Sequence, residues 1–315
     1  MNRIILAFEN QRLALSYPES LHRVIQLLFA NIQAPIGSPG RTLVVQEDEC
    51  SERFSIQCDG ATKFRGVRRD DCLLLLLGEV VHALITDLNS GVALHAGAVL
   101  CGERAILLPG GTGVGKSCLT AWLADRGFSY LTDECVVLRP QVPYLSALAR
   151  PLITKNRVSI SIAELKKMNK TSIVAGSNAI FWPQDVTPPG QPRDCQLIIL
   201  PRFEDGAQLR IESLNAAQTA LELTACNVNA RNLSDHGFGI VTSFARCVPA
   251  IMVRYGGFDQ LAGTFDMLLK LIAESKLSYH ATRRLLTLFR TSEAASVKRT
   301  SEHLVAADRD GDCEG

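Results

Sequence analysis

One stretch constrains this chain more than any other. Gly110-Gly111-Thr112-Gly113-Val114-Gly115-Lys116-Ser117 fits G-x-x-x-x-G-K-[ST], the phosphate-binding loop pattern. An apolar run of strand length, Ala105–Leu108, enters it. Leu119, Trp122 and Leu123 follow at helical spacing, and Arg126-Gly127 ends that run. A loop that wraps a polyanion must present backbone N–H groups, and Gly110, Gly113 and Gly115 permit positive φ and close backbone approach. A helix starting near Lys116 aims its positive end at the same anion. Lys116 can reach the β- and γ-phosphates, and the Ser117 hydroxyl can ligate Mg²⁺. The candidate nucleotide-binding residues therefore run Gly110, Gly111, Thr112, Gly113, Val114, Gly115, Lys116, Ser117 and Cys118. A glycine-rich turn that only resembles the motif would need neither the strand before it nor the helix after it.

Composition excludes several classes. With 315 residues, 47% hydrophobic and 21% charged, the chain has an ordinary globular make-up. A net charge of +1 gives no electrostatic reason to expect nucleic acid or an anionic membrane as a partner. None of the ten cysteines falls in a C-x-x-C pair, so a zinc ribbon or thioredoxin-like motif is not supported. The N-terminal apolar core is too short for a secretory signal, and Leu73–Leu77 is too short to span a bilayer. A cytosolic protein is the expectation.

In chain order, residues 3–8 and 11–16 read as strands about the Glu9-Asn10 turn. Pro18-Glu19 opens a helix with Leu21, Val24, Ile25, Leu28 and Phe29 as its apolar stripe. Thr42–Val45 and Phe54–Gln57 are strand-like, and the basic patch Arg65–Arg69 reads as a solvated face. Asp70 or Asp71 can cap a helix ending near Asn89-Ser90-Gly91. Residues 1–90 thus form a small α/β unit without visible chemistry. Residues 91–290 carry the phosphate loop, and 291–315 form a polar tail biased to disorder. Within the second unit, helices are expected at Ile162–Asn169, Ala216–Ala225, Asp235–Ala245, Phe258–Ser275 and His280–Phe289. Strands are expected at Cys195–Pro201 and Ala250–Tyr255.

Val92–Leu100 is β-like, and a three-residue link, Cys101-Gly102-Glu103, joins it to the strand feeding the loop. That link predicts an antiparallel hairpin rather than a βαβ unit. Beyond the loop helix, Asp133 and Glu134 sit between apolar halves, Phe128–Leu131 and Cys135–Leu138. One helix and a turn fold them back beside the loop. If that segment is extended, adjacent side chains diverge, and one carboxylate can face a nucleophile while the other faces a metal. A serine hydroxyl needs such a carboxylate to accept its proton. His95 would share a strand face with Ala93 and Gly97, whose small size leaves room for a ligand; a buried structural histidine is the bland alternative. Lys155, Arg157 and Arg231 are candidate clamps for phosphate or acidic groups.

Leu94-His95-Ala96-Gly97, the loop, the helix ending Arg126-Gly127, and Thr132-Asp133-Glu134 together resemble the catalytic domain of bacterial HPr serine kinase/phosphorylase. They resemble more closely the HPr-kinase-related proteins, including lasso-peptide kinases. The strong match covers about residues 92–140, and Arg150–Arg157 and Arg254–Gln260 fit the related group. The resemblance implies an α/β fold with a phosphate-loop core of the HPr kinase/phosphoenolpyruvate carboxykinase type, entered by an antiparallel hairpin. It implies ATP- and Mg²⁺-dependent phosphorylation of a serine hydroxyl in a peptide or small protein. Asp133 takes the catalytic base position, Lys116 and His95 stand by the reacting phosphate, and Ser117 and Glu134 are the metal positions. Thr112 stands where the family often has serine, and Glu134 where it usually has a second aspartate. No counterpart of the bifunctional enzyme's glutamate-containing signature is legible, so a kinase without phosphorolysis is expected. A nucleotide-gated binding module and a small-molecule kinase are the alternatives. The acceptor, the base preference and any homo-oligomer are not encoded in a motif.

Overall fold

The computed structural model describes residues 1–35, 37–48, 50–155, 172–176, 178–183, 185–187, 191–263 and 269. The first half of the chain forms β1 (Asn2–Phe8), β2 (Gln11–Tyr17), α1 (His22–Phe29), β3 (Gln33–Ala34), β4 (Arg41–Asp48), β5 (Arg53–Cys58), β6 (Ala61–Val67) and α2 (Arg69–Ile85). There follow β7 (Val92–Cys101), β8 (Arg104–Pro109), α3 (Lys116–Asp125), β9 (Ser129–Thr132), β10 (Cys135–Leu138), β11 (Tyr144–Ala147) and β12 (Leu152–Lys155). The last described elements are β13 (Ser172–Ala175), β14 (Asn178–Phe181), β15 (Arg193–Phe203), β16 (Arg210–Leu214), α4 (Ala216–Ala225), α5 (Phe238–Cys247) and β17 (Ala250–Tyr255).

Among the described residues the result is a mixed α/β fold with three sheets. A six-stranded sheet, ordered β3-β1-β2-β4-β5-β6, holds the N-terminal strands. Alternation puts Leu13, Leu15, Leu43, Val45 and Ile56 on its covered face, where α1 and α2 pack. The central sheet runs β11-β10-β7-β8-β15-β17-β16, with β9 also on β7, and β11 returns to pair β15. Its members read as near-continuous apolar runs because both faces are covered: Leu94, Leu107 and Ile198 pack on α4 and α5, and Val99, Ile106 and Ile199 pack with α3. β12, β14 and β13 make a small third sheet.

The predicted hairpin is present: β7 and β8 pair antiparallel, from Ala96↔Pro109 to Cys101↔Arg104. Beyond it, β8, β15 and β17 run parallel. Several boundaries differ from the sequence reading. α2 starts at Arg69 with no side-chain cap, and Asp70 instead accepts a hydrogen bond from the Gly176 N–H at 3.0 Å. β6 falls on residues that read as a basic patch; it is an edge strand, largely exposed, so no alternation marks it. α5 starts at Phe238 rather than Asp235, because the Asp235 carboxylate accepts from the Gly237 and Gly239 N–H groups and so fixes the turn ahead of the helix. Phe258–Gly263 is turn rather than helix, and Leu269 alone of the following stretch is described. The predicted helices at Ile162–Asn169 and His280–Phe289 and the tail lie outside the described residues. No described helix is long and apolar enough to cross a membrane.

Candidate functional site

The loop is built as its sequence requires. Gly113 and Gly115 have φ of 89° and 99°, the left-handed region that costs glycine little. Gly115 is the N-cap of α3, so the helix starts at Lys116 and presents its free N–H groups to the loop. A Cβ at Gly115 would stand 2.7 Å from Tyr255 Oη, so the close approach also demands glycine. Gly111, Thr112 and Gly113 are exposed, while Val114, Ser117 and Cys118 are half-buried. Burial raises the Cys118 thiol pKa, with Asp133 adding to it, which keeps the thiol protonated.

The acid pair owes its place to β7. Both β9 and β10 lie antiparallel on the same edge of β7, Thr132 opposite Ala98 and Cys135 opposite His95. Asp133 and Glu134 are the bend between them, opposite Gly97 and Ala96. Gly97 is what lets α3 close over this point, since a Cβ there would meet Thr120 Oγ1 at 2.6 Å. The same register puts His95 on β7 beside the bend, its N–H held by Cys226 O at 2.8 Å.

A connected set of side chains results. Lys116 Nζ donates to Gly111 O at 2.7 Å and lies 3.1 Å from His95 Nε2. His95 Nδ1 is 3.1 Å from Glu134 O and 3.5 Å from Glu134 Oε1. With the ammonium donating to Nε2, the ring proton sits on Nδ1 and points at Glu134. Asp133, 2% exposed, accepts from Tyr130 Oη at 3.3 Å and from Arg150 Nε at 3.4 Å, both on Oδ1. The Arg150 Nη2 reaches Glu134 Oε2 at 3.0 Å. Burial lowers the Lys116 pKa, against Cys226, Glu134 and Asp133, which raise it. Burial also opposes the charge on Arg150, yet Asp133 and Glu134 hold its pKa above the ordinary value. Tyr130 is pushed well up, first by burial and then by Asp133, so it stays a neutral donor.

Lys116, His95, Asp133, Glu134 and the loop are therefore brought together as the sequence suggested. The expected divergence of the two carboxylates is not met. One guanidinium bridges both, because the chain bends at this dipeptide instead of continuing as flat strand. Of the three cations named from sequence, Arg231 is not part of this set. Arg231 is exposed in a turn after α4, Lys155 ends β12, and Arg157 lies outside the described residues. Arg150 is the cation that sequence reasoning missed. The signal was present: a lone charge in Leu148-Ala149-Arg150-Pro151-Leu152 has to find a buried partner.

Among the described residues no group of three or more His, Cys, Asp or Glu side chains could hold a metal alone. Mg²⁺ keeps waters and takes one or two protein oxygens beside substrate phosphates, so such a cluster is no requirement for it. Ser117, half-buried in the first turn of α3, and Glu134, 30% exposed at its side chain, are suited donors.

No family model and no curated protein matches the chain. Among solved structures, the HPr(Ser) kinase/phosphatase from Coxiella burnetii is similar over 58% of this chain and 89% of its own, at 15% identity and a TM-score of 0.27. At that score the two folds are not equated, and the functional reading rests on the site's own geometry.

Proposed function

We propose that the chain is an ATP- and Mg²⁺-dependent phosphotransferase of the HPr-kinase-related type, acting on a serine hydroxyl of a peptide or small protein. The observation that carries this reading is the contact set at the loop mouth, where the loop lysine, His95 and an arginine-bridged acid pair converge. Phosphoryl transfer asks a protein mainly for positioning and charge neutralisation, and this set offers both. The loop N–H groups and Lys116 hold the β- and γ-phosphates. Lys116 exchanges its contacts with His95 and Gly111 for phosphate oxygens, and His95 is left facing the terminal phosphate. Asp133 takes the serine proton on Oδ2, the oxygen that neither Tyr130 nor Arg150 occupies. The serine oxygen bonds to the γ-phosphorus as the bridging β–γ bond breaks, and ADP leaves. Ser117 and Glu134 would hold Mg²⁺, which supplies charge neutralisation across the β- and γ-phosphates.

Calorimetry of Mg·ATP binding tests the nucleotide half of this reading. Lys116→Ala should abolish the binding heat seen with wild type; equal binding in both would remove the loop from the account. The burial of Asp133, 2% exposed, favours one second reading, a nucleotide-gated module that binds without transfer. In that case Asp133→Asn would leave function intact, whereas a base should lose about 10²–10⁴-fold in rate.

A further inference from the structure

The proposed site has a phosphate end, and the order of strands gives it a direction. β8, which feeds the loop, has β7 on one side and β15 on the other. His95 lies on β7, and Asp133 and Glu134 lie on the far edge of β7, so the reacting terminal phosphate belongs to that flank. The nucleoside then leaves over the opposite flank, across the carboxyl ends of β15 and β17. β8, β15 and β17 are parallel, and ligands of parallel sheets gather at those ends.

The residue waiting there is Phe203, the last of β15. Its N–H donates to Val114 O at 3.1 Å, which ties the strand end to the middle of the loop. Its Cβ stands 3.1 Å from where a Gly115 Cβ would be. Its ring meets Tyr255 edge-on, with centroids 5.7 Å apart and planes at 64°. Tyr255 is fully buried, yet Phe203 is 41% exposed. Of the other exposed large apolar side chains among the described residues, Leu221 lies on α4 and Phe238 on α5, and Val228, an aliphatic side chain, follows Cys226 on the β7 flank. An aromatic ring fixed at its base by the phosphate loop and partly open to solvent is suited to stacking on a base.

We propose that Phe203 is the stacking platform for the purine base of the nucleoside triphosphate held by Gly110–Ser117. This rests on the reading of that loop given above. Stacking through π-faces is tolerant of sequence, so ATP and GTP should both use the ring, and pyrimidine nucleotides should gain less from it.

Calorimetry on the full chain separates base from phosphate. The probes are Mg·ATP, Mg·CTP and magnesium inorganic triphosphate. Phe203→Ala should weaken ATP about tenfold and leave inorganic triphosphate unchanged. Phe203→Trp should keep ATP affinity, with an indole fluorescence quenched by ATP but not by inorganic triphosphate. Two results would overturn the platform: ATP affinity unchanged in Phe203→Ala, or ATP and inorganic triphosphate weakened by the same factor, which would make the ring a mere prop for Gly115. A wild type that binds neither probe would sink the loop reading and the platform with it. A wild type that binds both equally well, before any substitution, would sink the platform alone.

Discussion

Arg150 decides how the acid pair is held. Two adjacent carboxylates, one of them buried, are tolerable in the fold because a buried guanidinium lies against both. Arg150→Met should therefore cost about 3–5 kcal/mol, since among the described residues Asp133 would keep only Tyr130 as a side-chain partner. Urea unfolding measures this, and the double variant Asp133→Asn/Arg150→Met should recover part of the loss. Equal stability of Arg150→Met and wild type would show that the pair does not hold the site. Lys116 makes a second prediction, about pH. Burial holds its pKa below the ordinary lysine value. Between the two values the unfolded chain binds the proton and the folded chain does not, so stability rises with pH across that window. Phosphate binding needs the charged form, so the affinity for inorganic triphosphate should fall across the same window. Titrations from neutral pH to about 10 should show the fall in wild type and its absence in Lys116→Arg. An equal fall in both would assign it to another group. At this scale the sequence was informative where the chemistry is local. Gly110–Ser117 and Asp133-Glu134 could be read directly, whereas Arg150 finds its partners only after β9, β10 and β11 have brought it round.

At the scale of elements, the site depends on how closely α3 and the loops press on β7. Gly97→Ala would drive a methyl group into Thr120 Oγ1, which itself donates to Lys116 O at 2.9 Å. The expected cost is about 1–3 kcal/mol in thermal or urea unfolding, with partial recovery in Gly97→Ala/Thr120→Ala. A neutral substitution would mean that α3 can back away from the strand. Asn229 fixes the other end of β7. Its Oδ1 accepts from the Ala93 N–H at 2.8 Å, and its Nδ2 donates to Leu88 O and Gly91 O at 2.9 and 3.0 Å. Asn229→Ala strands the Ala93 N–H and Gly91 O, while Leu88 O keeps Asn232 Nδ2 at 3.0 Å, and should cost about 1–3 kcal/mol. The hairpin was legible because a short glycine link joins two apolar runs; its register was not, since Cys101 pairs with Arg104 and the link is two residues rather than three. Asn229 was not, because its partners lie far from it in the chain and its own segment shows no periodicity.

Over the whole molecule, the N-terminal sheet and the phosphate-loop sheet share one core. The cluster around α2 joins Leu13, Leu43 and Leu76 to Ala93, Cys135, Val137 and Leu148, the last four from the central sheet or next to it. Glu9, only 4% exposed at its side chain, pairs with Arg139 at 2.8 Å across the same junction, and Trp182 Nε1 donates to Leu27 O of α1 at 2.9 Å. Composition shows two α/β stretches but not this shared packing, since which face of α2 meets which sheet is set only in three dimensions. The consequence is cooperative unfolding. The two tryptophans are Trp122 on α3 and Trp182 beside α1, so Trp122→Phe and Trp182→Phe each leave one reporter. Both reporters should show the same urea midpoint once each variant's own stability is allowed for, and separate transitions would show that the sheets unfold independently.

The account stands or falls on phosphate transfer. The direct measurement is transfer from γ-labelled ATP with Mg²⁺ to serine-containing peptides and small proteins, with wild type and Asp133→Asn side by side. The expected result is label on a serine of an acceptor with wild type, lost in Asp133→Asn, while both proteins bind Mg·ATP alike. Label equal in both proteins, or nucleotide bound by both with no acceptor labelled, would contradict it and leave Asp133 a structural partner of Arg150.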